Sequence, residues 1–79
     1  MSKRACQKAI YNVLAGQYGA DPSTASFDVI YEACYNVACG QPAGHRIFAE
    51  QVDCFGAEVD RMWLCRVLNE ATNAGVEAL

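Results

Sequence analysis

The chain has no apolar run near the ~18 residues a membrane span needs, and its basic start, Met-Ser-Lys-Arg-Ala-Cys, leads into no uninterrupted apolar stretch of signal-peptide type. No membrane association is expected, and a cytoplasmic setting, in which thiols stay reduced, follows. The sequence also lacks a Cys-x2-Cys pair, a phosphate-binding glycine loop, a His-Glu-x-x-His pair and a calcium loop. Those absences remove the common templates for structural zinc, nucleotide binding, zinc proteolysis and calcium sensing. The combination of low hydrophobicity and high net charge that marks disorder is missing too: 53% of the 79 residues are hydrophobic and the net charge is only −3. A single compact helical domain spanning residues 1–79 is therefore expected, because a chain this short has room for one core.

The charges are unevenly placed. Residues 1–20 carry Lys3, Arg4 and Lys8 and no acid, while residues 21–79 carry nine acids against Arg46, Arg61 and Arg66. No Lys or Arg lies between Lys8 and Arg46. An acidic surface disfavours direct contact with nucleic acid, whose phosphates supply most non-specific affinity, and favours basic protein surfaces. The plainer alternative is a solvated acidic surface that keeps a small protein soluble.

Helical periodicity runs through the chain. Ser2 is a candidate cap for a first helix whose apolar face is Cys6, Ala9, Ile10, Val13 and Leu14. Gly19-Ala20-Asp21-Pro22 reads as a stop, a turn, an N-cap Asp and a first-turn Pro. A second helix follows on Phe27, Ile30, Tyr31, Cys34, Val37 and Ala38, ending at Gly40 with Pro42 beyond. Ile47, Phe48, Val52 and Phe55 predict a third, broken or kinked at Gly56. The last helix runs to Asn73 or Ala74, with Gly75 as its C-terminal cap and Val76–Leu79 as a frayed tail. Within it Val59–Leu68 is apolar around most of its circumference, so neighbours are expected on several sides. The fold class is all-α, a small bundle of three to four short helices packed around the C-terminal helix.

Residues from about 10 to 35 resemble the helix-turn-helix family of DNA-binding proteins. The likeness rests on Ala15 four residues before Gly19, and on the Ser/Thr-rich start of the next helix at Ser23, Thr24 and Ser26. The resemblance implies a transcriptional regulator with Ser23, Thr24, Ser26 and Asp28 facing a groove. The sequence departs from the family at Ala25, where a branched aliphatic belongs, and at Asp28, where a core residue belongs.

Five cysteines occur, Cys6, Cys34, Cys39, Cys54 and Cys65. A Cys34/Cys39/His45/Cys54 zinc site has irregular spacing, and Cys34, Cys54 and Cys65 read more simply as small apolar core residues. Cys39 near His45 is the nearest approach to a nucleophile pair, yet a helix C-terminus disfavours a thiolate. Cys6, beside Lys3 and Arg4, has the better environment for a lowered pKa, but no group orients a base toward it. No catalysis, cofactor or metal is expected.

The expected function is a non-catalytic protein-binding module, an inhibitor or adaptor that occludes a basic, nucleic-acid-binding surface of a partner. Phages and other mobile elements encode such proteins, anti-CRISPR proteins among them. The chain itself is expected as monomer or homodimer. The candidate partner-binding residues are Glu50, Asp53, Glu58 and Asp60 with Arg61, Trp63 and Arg66, the last three within one and a half turns in a small acidic protein with a Tyr/Trp/Arg surplus. The plainer reading of Arg61, Trp63 and Arg66 is a core Trp between two solvated arginines. If Trp63 is core, Trp63→Ala should destabilise the domain by ~3–5 kcal/mol in chemical denaturation. An unchanged melting temperature would make Trp63 a surface anchor instead.

Overall fold

The computed structural model describes residues 2–43 and 61–79, without the side chains of Arg61 and Trp63. Among these residues all regular structure is helical. Three helices pack together: α1 (Lys3–Asn12), α2 (Ala25–Ala38) and α3 (Arg61–Ala78), with α3 touching both others. The expected helix over Ile47–Phe55 and the expected break at Gly56 lie outside the described residues.

α1 starts where Ser2 leaves extended backbone and its hydroxyl accepts the Ala5 N–H at 3.0 Å. Such a cap is typically worth about 1 kcal/mol. Its buried residues Cys6 and Ile10 lie one turn apart. The helix then widens into a π-helical turn, Val13–Gln17, closed by Tyr18 N–H donating to the Val13 carbonyl at 3.3 Å. Leu14 stays buried through this turn, and Gly19, at φ +68°, ends it in the left-handed region.

The start of α2 corrects the sequence reading. Asp21 is not the cap, because its Oδ1 already accepts from the Ser23 N–H at 2.9 Å and the Ser23 hydroxyl at 2.8 Å. Those two bonds hold its carboxyl below the usual range. Pro22 therefore sits in the turn, and Thr24 caps the helix by accepting the Phe27 N–H at 3.2 Å. The C-terminus is as expected. Gly40, at φ +85°, donates to the Val37 carbonyl at 3.0 Å and Gln41 donates to the Asn36 carbonyl at 2.7 Å, the paired bonds of a Schellman motif.

The core gathers Cys6, Ile10 and Leu14 from the first segment, Phe27, Ile30, Ala33 and Cys34 from α2, and Leu64, Val67 and Ala71 from α3. Burying each large aliphatic contributes roughly 1.5–3 kcal/mol. α1 and α2 run antiparallel: the Tyr11 ring meets Phe27 edge-on at 5.4 Å, and Cys39 past the end of α2 influences Cys6 in the first half of α1. α2 serves two neighbours, so its buried face rotates toward Ala33 and leaves Val37 43% exposed, against expectation.

α3 departs most from the sequence reading. Among its described side chains Leu64, Val67 and Ala71 are buried but Met62 is 78% exposed and Cys65 exposed, while Val59 and the Trp63 side chain lie outside the described residues. Gly75 is no cap; it lies inside the helix, which continues to Ala78, and Leu79 packs partly against the core. The frayed tail is thus a packed last turn. A Cβ on Gly75 would stand 2.8 Å from Ile10 Cδ1, 2.9 Å from Ile10 Cγ1 and 3.0 Å from Cys6 Sγ. Gly→Ala inside a helix ordinarily gains up to about 1 kcal/mol, while overpacking costs about 1–3. With Ile10 fully buried, the overpacking dominates. Gly75→Ala should lower stability by about 1 kcal/mol in urea unfolding; a raised melting temperature would show that the contact yields instead.

Candidate functional site

α3 carries the described part of the candidate partner-binding set. Glu50, Asp53, Glu58 and Asp60 lie outside the described residues, Arg61 opens α3, and Trp63 stands in its first turn. Arg66 is exposed, roughly opposite the buried Leu64, Val67 and Ala71 face.

Around Arg66 the fold assembles two residues that the sequence reading did not select. Tyr18, brought over by the π-helical turn, donates its phenol to the Glu70 carboxylate, and Glu70 is one turn from Arg66 on α3. The phenol pKa is raised, first by that hydrogen bond, then by burial and the carboxylate charge, while Arg66 opposes the shift. Partners 52 positions apart leave no local sequence signal. The Arg66/Glu70 spacing of four was the only available hint.

A second feature flanks α3. A groove of about 410 Å³ runs between the C-terminal end of α2 and α3, with Val37, Ala43, Cys65, Leu68, Asn69, Thr72 and Asn73 among its lining residues. Cys65 borders it as an exposed thiol, which corrects the core placement expected of this cysteine. Its helical position turns it away from the Leu64/Val67/Ala71 face.

The other cysteines divide by location. Cys34 is buried, its Sγ donating to the Leu68 carbonyl at 3.7 Å; burial pushes its thiol pKa up to about 11, partly offset by a hydrogen bond with Thr72. Cys6 is fully buried rather than presented beside Lys3 and Arg4. Burial raises its pKa, with Cys39 adding to the effect, the reverse of the activated thiol its neighbours in sequence suggested. Cys39 is the exposed C-cap of α2. Of the zinc set considered above, Cys34 and Cys39 are described, and His45 and Cys54 lie outside the described residues. Among the described residues no three His, Cys, Asp or Glu side chains converge as a metal site requires.

In the helix-turn-helix segment, Ser23 and Thr24 are engaged in the Asp21 turn and the α2 cap. Ala25 and Asp28, the positions that depart from the family, are both exposed. Lys3, Arg4 and Lys8 are exposed along α1. Among the described residues no helix is long and apolar enough to cross a membrane. In comparison with known proteins, no family model, no curated protein and no solved structure matches the chain.

The thiols give a direct check on these placements. In a Cys54→Ser background, Cys39 and Cys65 should react with an aromatic disulfide reagent at least about tenfold faster than Cys6 and Cys34, since buried thiols wait for opening. Fast labelling of Cys6 in native protein would contradict its position beneath α3.

Proposed function

We propose that the protein is a non-catalytic binding module that occludes a basic, nucleic-acid-binding surface on a protein partner. The observation that carries this reading is the segregation of charge, with every acid of the chain beyond residue 20 and, of the five described acids, Asp21, Asp28, Glu32 and Glu77 exposed and Glu70 partly buried against Tyr18. The contact surface centres on the start of α3 and the acids that precede it: Glu50, Asp53, Glu58, Asp60, Arg61, Trp63 and Arg66. Carboxylates there compete with phosphates for Lys and Arg, and Trp63 and the arginines supply the anchors that make such contacts tight. An anti-CRISPR type inhibitor is the most concrete version, because the nucleic-acid channel of an RNA-guided nuclease is positively charged.

The test is competition. The protein should block duplex DNA binding by such a nuclease, and Glu58→Lys with Asp60→Lys should weaken the block at least about tenfold by removing two carboxylates and adding two repulsions. The protein alone should shift random duplex DNA at no salt concentration. A salt-sensitive shift that Lys3, Arg4 and Lys8→Ala abolish would overturn the proposal in favour of a DNA-binding regulator using the helix-turn-helix segment.

A further inference from the structure

The outer face of the α1–α2 hairpin, turned away from α3, carries two rows of opposite charge. α1 presents Arg4 and Lys8, one turn apart, and α2 presents Asp28 and Glu32, one turn apart; all four are exposed. Because Cys6 and Ile10 point α1 at the core and Ala33 and Cys34 do so for α2, helical geometry places these charges on the shoulders next to the seam between the helices. In the seam, Tyr11 is 43% exposed with its ring on Phe27, and Tyr31 stacks on Phe27 at 6.4 Å between ring centres. Among the described residues, none of the four charges has an ion-pair partner.

We propose that this face is a self-complementary docking surface whose occupant is a second copy of the chain. The antiparallel register fixed by Tyr11 against Phe27 alternates the charges along the hairpin in the order Arg4, Glu32, Lys8, Asp28. A two-fold axis lying in the face and parallel to the helices sets the basic row of each copy over the acidic row of the other, so both rows are satisfied by one operation. Any registry with the same rows facing each other is repulsive, which selects that axis. Tyr11 and Tyr31 meet their counterparts along the centre, where aromatic side chains contribute contact area at low entropy cost. The face is only roughly 15 Å by 20 Å, from helices rising 1.5 Å per residue with axes 8–10 Å apart. That is small against the ~800 Å² per partner of a standard interface, so the association is weak and governed by charge. It uses none of the α3 surface proposed above but pairs Asp28 and Glu32, two of the exposed acids that support that reading, so its readout is the mass of the chain alone rather than competition for a partner.

Sedimentation of the whole chain at near-millimolar concentration tests it. At about 10 mM salt, where the Debye length is ~30 Å, the native protein should approach dimer mass, and at about 1 M, where it is ~3 Å, the association should weaken at least tenfold. R4E/K8E and D28K/E32K proteins should each be monomeric at low salt, and an equimolar mixture of the two should form a heterodimer. Because Asp28 sits in the first turn of α2, where a carboxylate favours the helix, E32K alone serves as a second acidic-row variant if circular dichroism shows D28K/E32K unfolded. A native chain that stays monomeric at low salt, charge-reversed chains that dimerise like the native one, or a mixture that does not pair would each overturn the proposal.

Discussion

The missing side chain at Gly75 lets α1 and α3 meet. Ile10 and Cys6 occupy the space a Cβ would take, with approaches of 2.8–3.0 Å. Once α1 is seated there, its phase is set. Cys6, Ile10 and Leu14 must face inward, and Arg4, Lys8 and Tyr11 are carried to the outside. The same seat removes Cys6 from water, which raises its pKa and takes the chain's most favourably flanked thiol out of chemistry. A packing detail on α3 thereby decides the electrostatics of α1.

Local signals made part of this legible. The first helix follows from Ser2 and the spacing of Cys6, Ile10 and Leu14, and the end of α2 follows from Gly40, because cap chemistry and periodicity are short-range properties. Where two local devices compete, the sequence does not rank them. Asp21 and Thr24 are both good caps, and the choice falls to Thr24 because Asp21 is consumed by its turn with Ser23. Gly75 shows the deeper limit: a glycine near a helix end has the same letter whether it ends the helix in the left-handed region or admits a neighbouring helix, and only Ile10 and Cys6 distinguish the two. The widened turn at Val13–Gln17 carries no periodic mark at all.

The candidate site was legible to a smaller degree. Arg66 is exposed as its place near Trp63 suggested, but its neighbour Tyr18 reaches it only through the fold. Cys65 reads as core because it is a small apolar residue in an apolar stretch, yet it lies off the buried Leu64/Val67/Ala71 face and is exposed. Breadth of apolar character measures how much cover a helix accepts; the neighbours decide how much it receives.

The α1–α2 face and the exposed Arg66 side of α3 are separate surfaces, so the two proposed contacts could form together. The outer face of the α1–α2 hairpin points away from α3, so a pair joined there keeps both α3 helices free. Such a pair would present two copies of the proposed α3 contact surface. A partner that displays one basic surface would then be contacted by one copy at a time, whereas a partner that is itself two-fold symmetric would meet both at once, and the second contact would form at an effective concentration set by the dimer geometry. The same salt that screens the α3 contact would also dissolve the pair, so occlusion of a symmetric target would fall more steeply with ionic strength than either contact alone, because avidity is lost together with each of its parts.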